Sequence, residues 1–272
     1  MENENFKDRN ILVSINQTYI RHFCVMLNSL LLNNADKYFT VYIMSADLSE
    51  GDYININRKF SGRNAAFIQI KVDENIFRGF PQVKRYPYTI YFRILAPLLL
   101  PETVDRILYL DSDTVIHGDI ENLYNTDFNN NLFVACTQIS GFLHLMNMIR
   151  LGVGKDYVYM NTGIMLMNIK ELRKITDVPK IRKYTIKNKW KLILYDEDIL
   201  CKFFGNRVKT VSPCIYNLAD RIIVTNNIKN KEKIDADWVK NNNIIIHYFG
   251  KNKPWKENYN GILKDYYTKY ND

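Results

Sequence analysis

Two aspartates separated by one serine, Asp111 and Asp113, close the apolar run "RILYLDSD". Carboxylates aimed at one point repel each other unless a cation or a shared proton lies between them. A divalent ion with hard oxygen ligands, Mg²⁺ or Mn²⁺, accepts one or two such carboxylates together with phosphate oxygens. The pair therefore suggests metal-assisted chemistry on a diphosphate. The plain alternative is a strand that ends in a turn, with either aspartate capping backbone N–H groups.

Strands must deliver these acids, and the sequence supplies them. "ILVSI" (11–15), "TVYIMS" (40–45) and "AAFIQIKV" (65–72) are short, branched and apolar, as buried strands are. Between the first two, "YIRHFCVMLNSLLLNN" has apolar residues at helical spacing. "PYTIYFRILAPLLL" reads as a further helix, carrying Arg93 on an apolar body, and "RILYLDSD" as a central strand. "NLFVACT" (131–137), "TGIMLMN" (162–168) and "NIIIHYFG" (243–250) complete the strand set. Asn168 and Glu171 have the spacing of a helix capping box, and "DEDILCKFF" opens another helix. This alternation predicts an α/β fold with a mostly parallel sheet and helices on both faces. Ligands of such sheets bind at the carboxyl ends of strands. Ser14, Asn16, Asp111, Asp113 and His247 all fall at such ends.

The chain has 272 residues, 47% hydrophobic and 24% charged, enough for a sizeable core. Its N-terminus is polar and of mixed charge, unlike a signal peptide, and the longest apolar run contains Pro97. A cytoplasmic protein is expected, with the inner face of the cell membrane as a second location. Cys24, Cys136, Cys201 and Cys214 form no C-x-x-C pair and read as reduced thiols. The net charge of +8 comes from dispersed lysines, which suit an anionic substrate or an acidic surface. With no Arg-rich helix or RNA-binding aromatic motif, nucleic acid is not an expected partner.

Haloacid-dehalogenase-type phosphatases also follow an apolar strand with D-x-D-x-T, and "LYLDSDT" fits that pattern. Their D-x-D strand normally opens the core, however, and about a hundred residues precede it here. Six blocks in order carry a more specific resemblance. They are "LVSINQTY", "YTIYFRIL", "LYLDSD", "YMNTGIMLMN", "LYDEDIL" and "HYFGKNKPW". Together they resemble glycosyltransferase family 8, whose members include bacterial lipopolysaccharide α-galactosyl- and α-glucosyltransferases and glycogenin. The resemblance runs from residue 11 to 255. It implies a single GT-A nucleotide-sugar domain over 1–255, a short tail over 256–272, a UDP-hexose donor and Mn²⁺, with Mg²⁺ as the alternative. A non-catalytic nucleotide-sugar-binding protein is the other alternative.

On this reading Asp111, Asp113 and His247 hold the metal. Lys253 reaches a phosphate oxygen as a point charge, and Gly250 lets backbone N–H groups approach the diphosphate. Ser14, Asn16 and Tyr19 meet the uracil. Asn16 stands where the family commonly has Asp, and its amide oxygen can still accept the base N–H. Arg93, which needs a partner if buried, faces the sugar or diphosphate. Asn161 is placed against sugar hydroxyls, with Thr162 beside it. In "DED" the family commonly has Gln between the aspartates; Glu197 is therefore a candidate nucleophile or charge stabiliser beneath the anomeric carbon. Asp196 is expected to hold Arg93, a lysine or a sugar hydroxyl. The acidic triplet also suits a helix N-terminus through the dipole. The acceptor is a saccharide, glycolipid or glycoprotein, as in lipopolysaccharide or other polysaccharide synthesis. The tyrosines and lysines of the tail offer a peripheral membrane contact, short of a stable anchor. Oligomeric state has no signal in the sequence.

Overall fold

The computed structural model describes residues 9–82, 87–137 and 139–271; most of the polar N-terminal stretch lies outside them. Among the described residues nine strands form: β1 (Arg9–Ser14), β2 (Phe39–Ser45), β3 (Ala65–Lys71), β4 (Arg106–Leu110), β5 (Thr114–Ile116), β6 (Phe133–Cys136), β7 (Ile164–Asn168), β8 (Val208–Val211) and β9 (Ile245–His247). Seven of them make one mixed sheet in the order β3-β2-β1-β4-β7-β6-β8, and β5 and β9 make a separate two-stranded ribbon.

The inner strands of the sheet are buried on both faces because they are apolar at successive positions, while the edge strands β3 and β8 are partly exposed. Ile11 and Val13 of β1, with Leu108 and Leu110 of β4, pack into one cluster under the helix Ile20–Asn33. Leu12, Ile107 and Tyr109 point the other way, into a cluster that includes the helix Phe92–Leu99. A third cluster gathers the ribbon and the C-terminal residues. There Tyr259, Tyr267 and Tyr270 are buried. Their hydroxyls meet Asp220 Oδ2 (2.6 Å), His22 Nδ1 (2.7 Å) and Asn33 Nδ2 (2.8 Å). These tail tyrosines are therefore core residues, not the membrane contact expected of them.

The sheet is mostly parallel, as expected, and β7 alone runs antiparallel, to both β4 and β6. Two expectations are corrected. The segment 243–250 pairs only over β9, and with β5 rather than with the main sheet. The helix expected from Pro87 begins as a 3-10 turn at Tyr88–Tyr91 and becomes α-helical at Phe92. Asn168 caps its helix by accepting from the Glu171 N–H at 3.2 Å, as its spacing predicts.

One buried acid ties distant elements together beside the strand ends. Asp198, in the helix Tyr195–Phe204, has a fully buried side chain. Its carboxylate receives both Arg150 terminal nitrogens at 2.7 Å, the Tyr159 hydroxyl at 2.6 Å, and the N–H groups of Ile193 and Leu194 at 2.6 and 3.2 Å. Removing one partner of a buried ion pair leaves the other uncompensated. Asp198→Ala is expected to destabilise the fold by about 3 kcal/mol, measurable by thermal or urea unfolding; an unchanged midpoint would contradict this anchoring role.

Candidate active site

Two antiparallel pairings assemble the site. β4 pairs with β7 in a register that sets Leu110 opposite Ile164, and the Asp111 N–H continues the ladder to the Gly163 carbonyl at 2.7 Å. Because β7 runs backward, its entry residues, Asn161 to Gly163, arrive at the end where β1 and β4 finish. The ribbon does the second job. Thr114 pairs with His247, and the Tyr248 N–H donates to the Asp113 carbonyl at 2.9 Å. His247 is thereby carried beside a D-x-D that precedes it by more than a hundred residues.

Asp111, Asp113 and His247 each offer one ligand atom, all within 4.8 Å of one another. His247 Nε2 lies 3.2 Å from Asp113 Oδ1 and 3.7 Å from Asp111 Oδ2. The other imidazole nitrogen, Nδ1, is 2.8 Å from Asn217 Oδ1, an atom that can only accept. That contact puts the proton on Nδ1 and leaves the Nε2 lone pair facing the two acids, the arrangement a metal-ligating histidine needs. Gly163 gives the trio its room. A Cβ there would lie 2.2 Å from His247 Cε1 and 2.7 Å from Asp111 Oδ2. The oxygen-rich donor set, its oriented imidazole and this cradle fit a divalent ion such as Mn²⁺.

Charge balance comes from two cations. Arg93, 4% exposed, donates to Asp111 Oδ1 at 2.8 Å and to the Thr162 carbonyl at 2.5 Å, and lies 3.5 Å from Asp196 Oδ2. Tyr109 donates its hydroxyl to the same Asp111 Oδ1 at 2.8 Å, so Oδ2 is the oxygen left facing His247. Burial opposes the Arg93 charge, yet Asp111, Tyr109 and Asp196 around it hold the guanidinium protonated. Lys253 Nζ bonds Asp113 Oδ2 and donates to the Tyr248 carbonyl at 2.8 Å. Burial also works against the Asp113 charge, and Lys253 and His247 outweigh it, holding that carboxyl well below the usual carboxylate range.

A relay of amides runs from the metal trio to the acidic triplet. Asn217 Nδ2 donates to Asn161 Oδ1 at 3.1 Å, and Asn161 Nδ2 donates to Glu197 Oε1 at 2.9 Å. Asp196 accepts from the Thr162 hydroxyl at 2.7 Å. Burial, with Asp196 and Asp198 on either side, pushes the Glu197 carboxyl up to about 8.

All thirteen residues singled out in the sequence line one cleft of about 790 Å³. Ser14, Asn16 and Tyr19 are among its lining residues, as is Gly250, which has a left-handed φ of 94°. Trp255 also lines the cleft; its ring stacks on His22 at 3.6 Å and meets Tyr19 edge-on. The sequence reading missed Asn217 and Gly163. Asn217 is fully buried in a turn, where an asparagine carries no local sign of its partners. Gly163 stands within a block already singled out, yet its closeness to His247 comes only from the two antiparallel pairings.

The chain matches the family described as glycosyl transferase family 8 over residues 10–259. It is 26% identical to a lipopolysaccharide 1,2-glucosyltransferase of Escherichia coli, over 95% of this chain and 76% of the relative. It is 23% identical to a lipopolysaccharide 1,3-galactosyltransferase of Salmonella typhimurium, over 90% of this chain and 72% of the relative. The crystal structure of the galactosyltransferase LgtC in complex with donor and acceptor sugar analogues superposes with a TM-score of 0.79, at 22% identity, covering 96% of this chain and 95% of that one. The D-x-D strand, the ribbon histidine and the cleft between them thus belong to a GT-A fold, and the chain belongs to glycosyltransferase family 8 and is a glycosyltransferase.

Proposed function

We propose that the enzyme is a retaining hexosyltransferase that moves galactose or glucose from a UDP-sugar to a saccharide acceptor, with Mn²⁺ as its divalent ion and Mg²⁺ as a substitute. The observation that carries this reading is the convergence of Asp111, Asp113 and His247 within 4.8 Å. Such an ion, when bound, counters the charge of the departing diphosphate. The relatives named as glucosyl- and galactosyltransferases support a hexose donor, and their lipopolysaccharide substrates support an acceptor carried on a glycolipid.

The chain's own residues divide the remaining work. An ammonium has three donors, and Lys253 directs two at Asp113 and the Tyr248 carbonyl, which leaves one for a phosphate oxygen. Gly250 keeps its stretch of loop free of a side chain beside the diphosphate. Ser14, Asn16 and Tyr19 form the uracil end. Asn16 Oδ1 accepts from the Thr18 hydroxyl at 2.7 Å and has a second lone pair for the base N–H. Arg93, Asn161 and Asp196 form the sugar end.

The state of Glu197 bears on the route by which configuration would be retained. With its carboxyl pushed up to about 8, Glu197 is mostly a neutral acid at pH 7. A neutral acid is a poor nucleophile and hydrogen-bonds much as glutamine does. This favours a front-face transfer: the acceptor oxygen bonds to the anomeric carbon, the bond from that carbon to the phosphate oxygen breaks, and the acceptor proton passes to the phosphate.

Asp113→Asn is expected to abolish Mn²⁺-dependent hydrolysis of the UDP-sugar while circular dichroism and melting temperature stay near wild type. Donor turnover by the wild type that persists in EDTA would count against the metal assignment. Asn217→Leu should raise the Mn²⁺ concentration for half-maximal hydrolysis by roughly 10–100-fold, with kcat recovered at saturating metal. A kcat loss that excess Mn²⁺ does not repair would remove Asn217 from this orienting role. Glu197→Gln should keep much of the transfer rate at pH 7. Wild-type activity should fall as pH rises through about 8, where Glu197 loses its proton, and the Gln variant should lack that fall. A glycosyl–Glu197 adduct found by mass spectrometry would establish double displacement instead.

A further inference from the structure

The helix Gly141–Leu151 has apolar side chains at 142, 145, 146 and 149, one face of a helix by spacing. That face is turned to water: Phe142 is 74% exposed, Leu145 52%, Met146 48% and Ile149 67%. Met148 and Leu151 supply the buried side instead. Contiguous exposed apolar surface of this kind marks an interaction site in a soluble domain.

The face does not stand alone. Arg150, next to Ile149, donates to the Lys191 carbonyl at 2.6 Å, and shares the Asp198 carboxylate with the Ile193 and Leu194 N–H groups. The turn Lys189–Lys191 and the residues after it are thus fastened to the same helix. There Trp190 is 76% exposed and Ile193 62%. Two residues mark the edge nearest the chemistry. Ile139, just before the helix, and Leu194 both line the donor cleft.

Charge identifies what the face fits. No acid occurs from Gly141 to Lys155, nor from Val178 to Tyr195. The second stretch contains Lys180, Lys183, Lys187 and Lys189, all exposed. A surface that is both apolar and rich in lysine complements a bilayer with anionic headgroups. Apolar side chains enter the acyl boundary, a tryptophan settles at headgroup level, and lysines reach lipid phosphates. We propose that the helix Gly141–Leu151 and the turn Lys189–Lys191 form a docking face for an anionic lipid bilayer. The mouth of the cleft then opens beside the membrane surface, where a lipid-borne acceptor is concentrated in two dimensions. The docking does not depend on which sugar or metal the cleft takes.

Co-sedimentation of the whole chain with vesicles tests this. Binding is expected to phosphatidylcholine vesicles containing phosphatidylglycerol, and much less to phosphatidylcholine alone, with weakening as salt rises. Phe142→Ser combined with Ile149→Ser should lower binding on the order of tenfold or more. Lys187→Glu combined with Lys189→Glu should remove the preference for phosphatidylglycerol. Both double variants should hydrolyse a soluble UDP-sugar at the wild-type rate, which separates docking from the donor reading. No binding to phosphatidylglycerol vesicles, or binding that the Phe142/Ile149 variant retains, would overturn the proposal. So would a dimer by light scattering that this variant dissolves, since the face would then join two copies.

Discussion

Like charges converge where β4 ends, and the site depends on how they are held apart and paid off. Asp111, Asp113, Asp196 and Glu197 line a single cleft, with Asp198 one residue further along the same helix. Each is given a separate answer. Arg93 lies between Asp111 and Asp196, Lys253 takes Asp113, and Arg150 takes Asp198. Among the described residues Glu197 forms no ion pair and is bonded by the Asn161 amide; burial, with Asp196 and Asp198 beside it, outweighs the pull of Arg93 and Arg221 and raises its proton affinity. The distribution matters because Lys253 and His247 outweigh burial and hold the Asp113 carboxyl low, whereas burial prevails at Asp196 and Glu197 and raises theirs. One cleft thus holds carboxylates suited to binding a metal and a carboxylic acid suited to donating a hydrogen bond.

The amide relay connects these two kinds of acid. From His247 through Asn217 and Asn161 to Glu197, every oxygen and nitrogen has an assigned direction. Reversing either amide would set like atoms against each other along the path. Asn161 Oδ1 also accepts from the Gly163 N–H at 3.2 Å, which fixes the relay to the backbone. Orientation of the imidazole and of the Glu197 carboxyl is therefore a shared property of the network.

Much of the sheet and the identity of the charged groups were legible in the sequence, because both have local signatures. β1, β2, β3 and β4 are continuous apolar runs, and D-x-D announces itself by spacing. What could not be read is long-range pairing. β5 and β9 have three residues each, too few for a periodic signal, and lie more than a hundred residues apart. β7 reads as a strand, yet nothing within it says that it runs antiparallel. The exposed helix Gly141–Leu151 shows the reverse difficulty. Its apolar spacing is that of a core helix, and only the fold reveals which way the stripe faces. The tail tyrosines erred in the opposite sense, since their hydroxyls suggested surface and found buried partners.

Gly163 has a consequence for anyone who wishes to retool the enzyme. Even one methyl group there would collide with the imidazole and with an aspartate oxygen, so substrate preference cannot be redesigned by decorating that wall. Variation must come from other lining residues, among which Ile139 and Leu194 present replaceable side chains. The sheet side of the cavity is in effect a fixed anvil, and the freedom to evolve new products belongs to the rim.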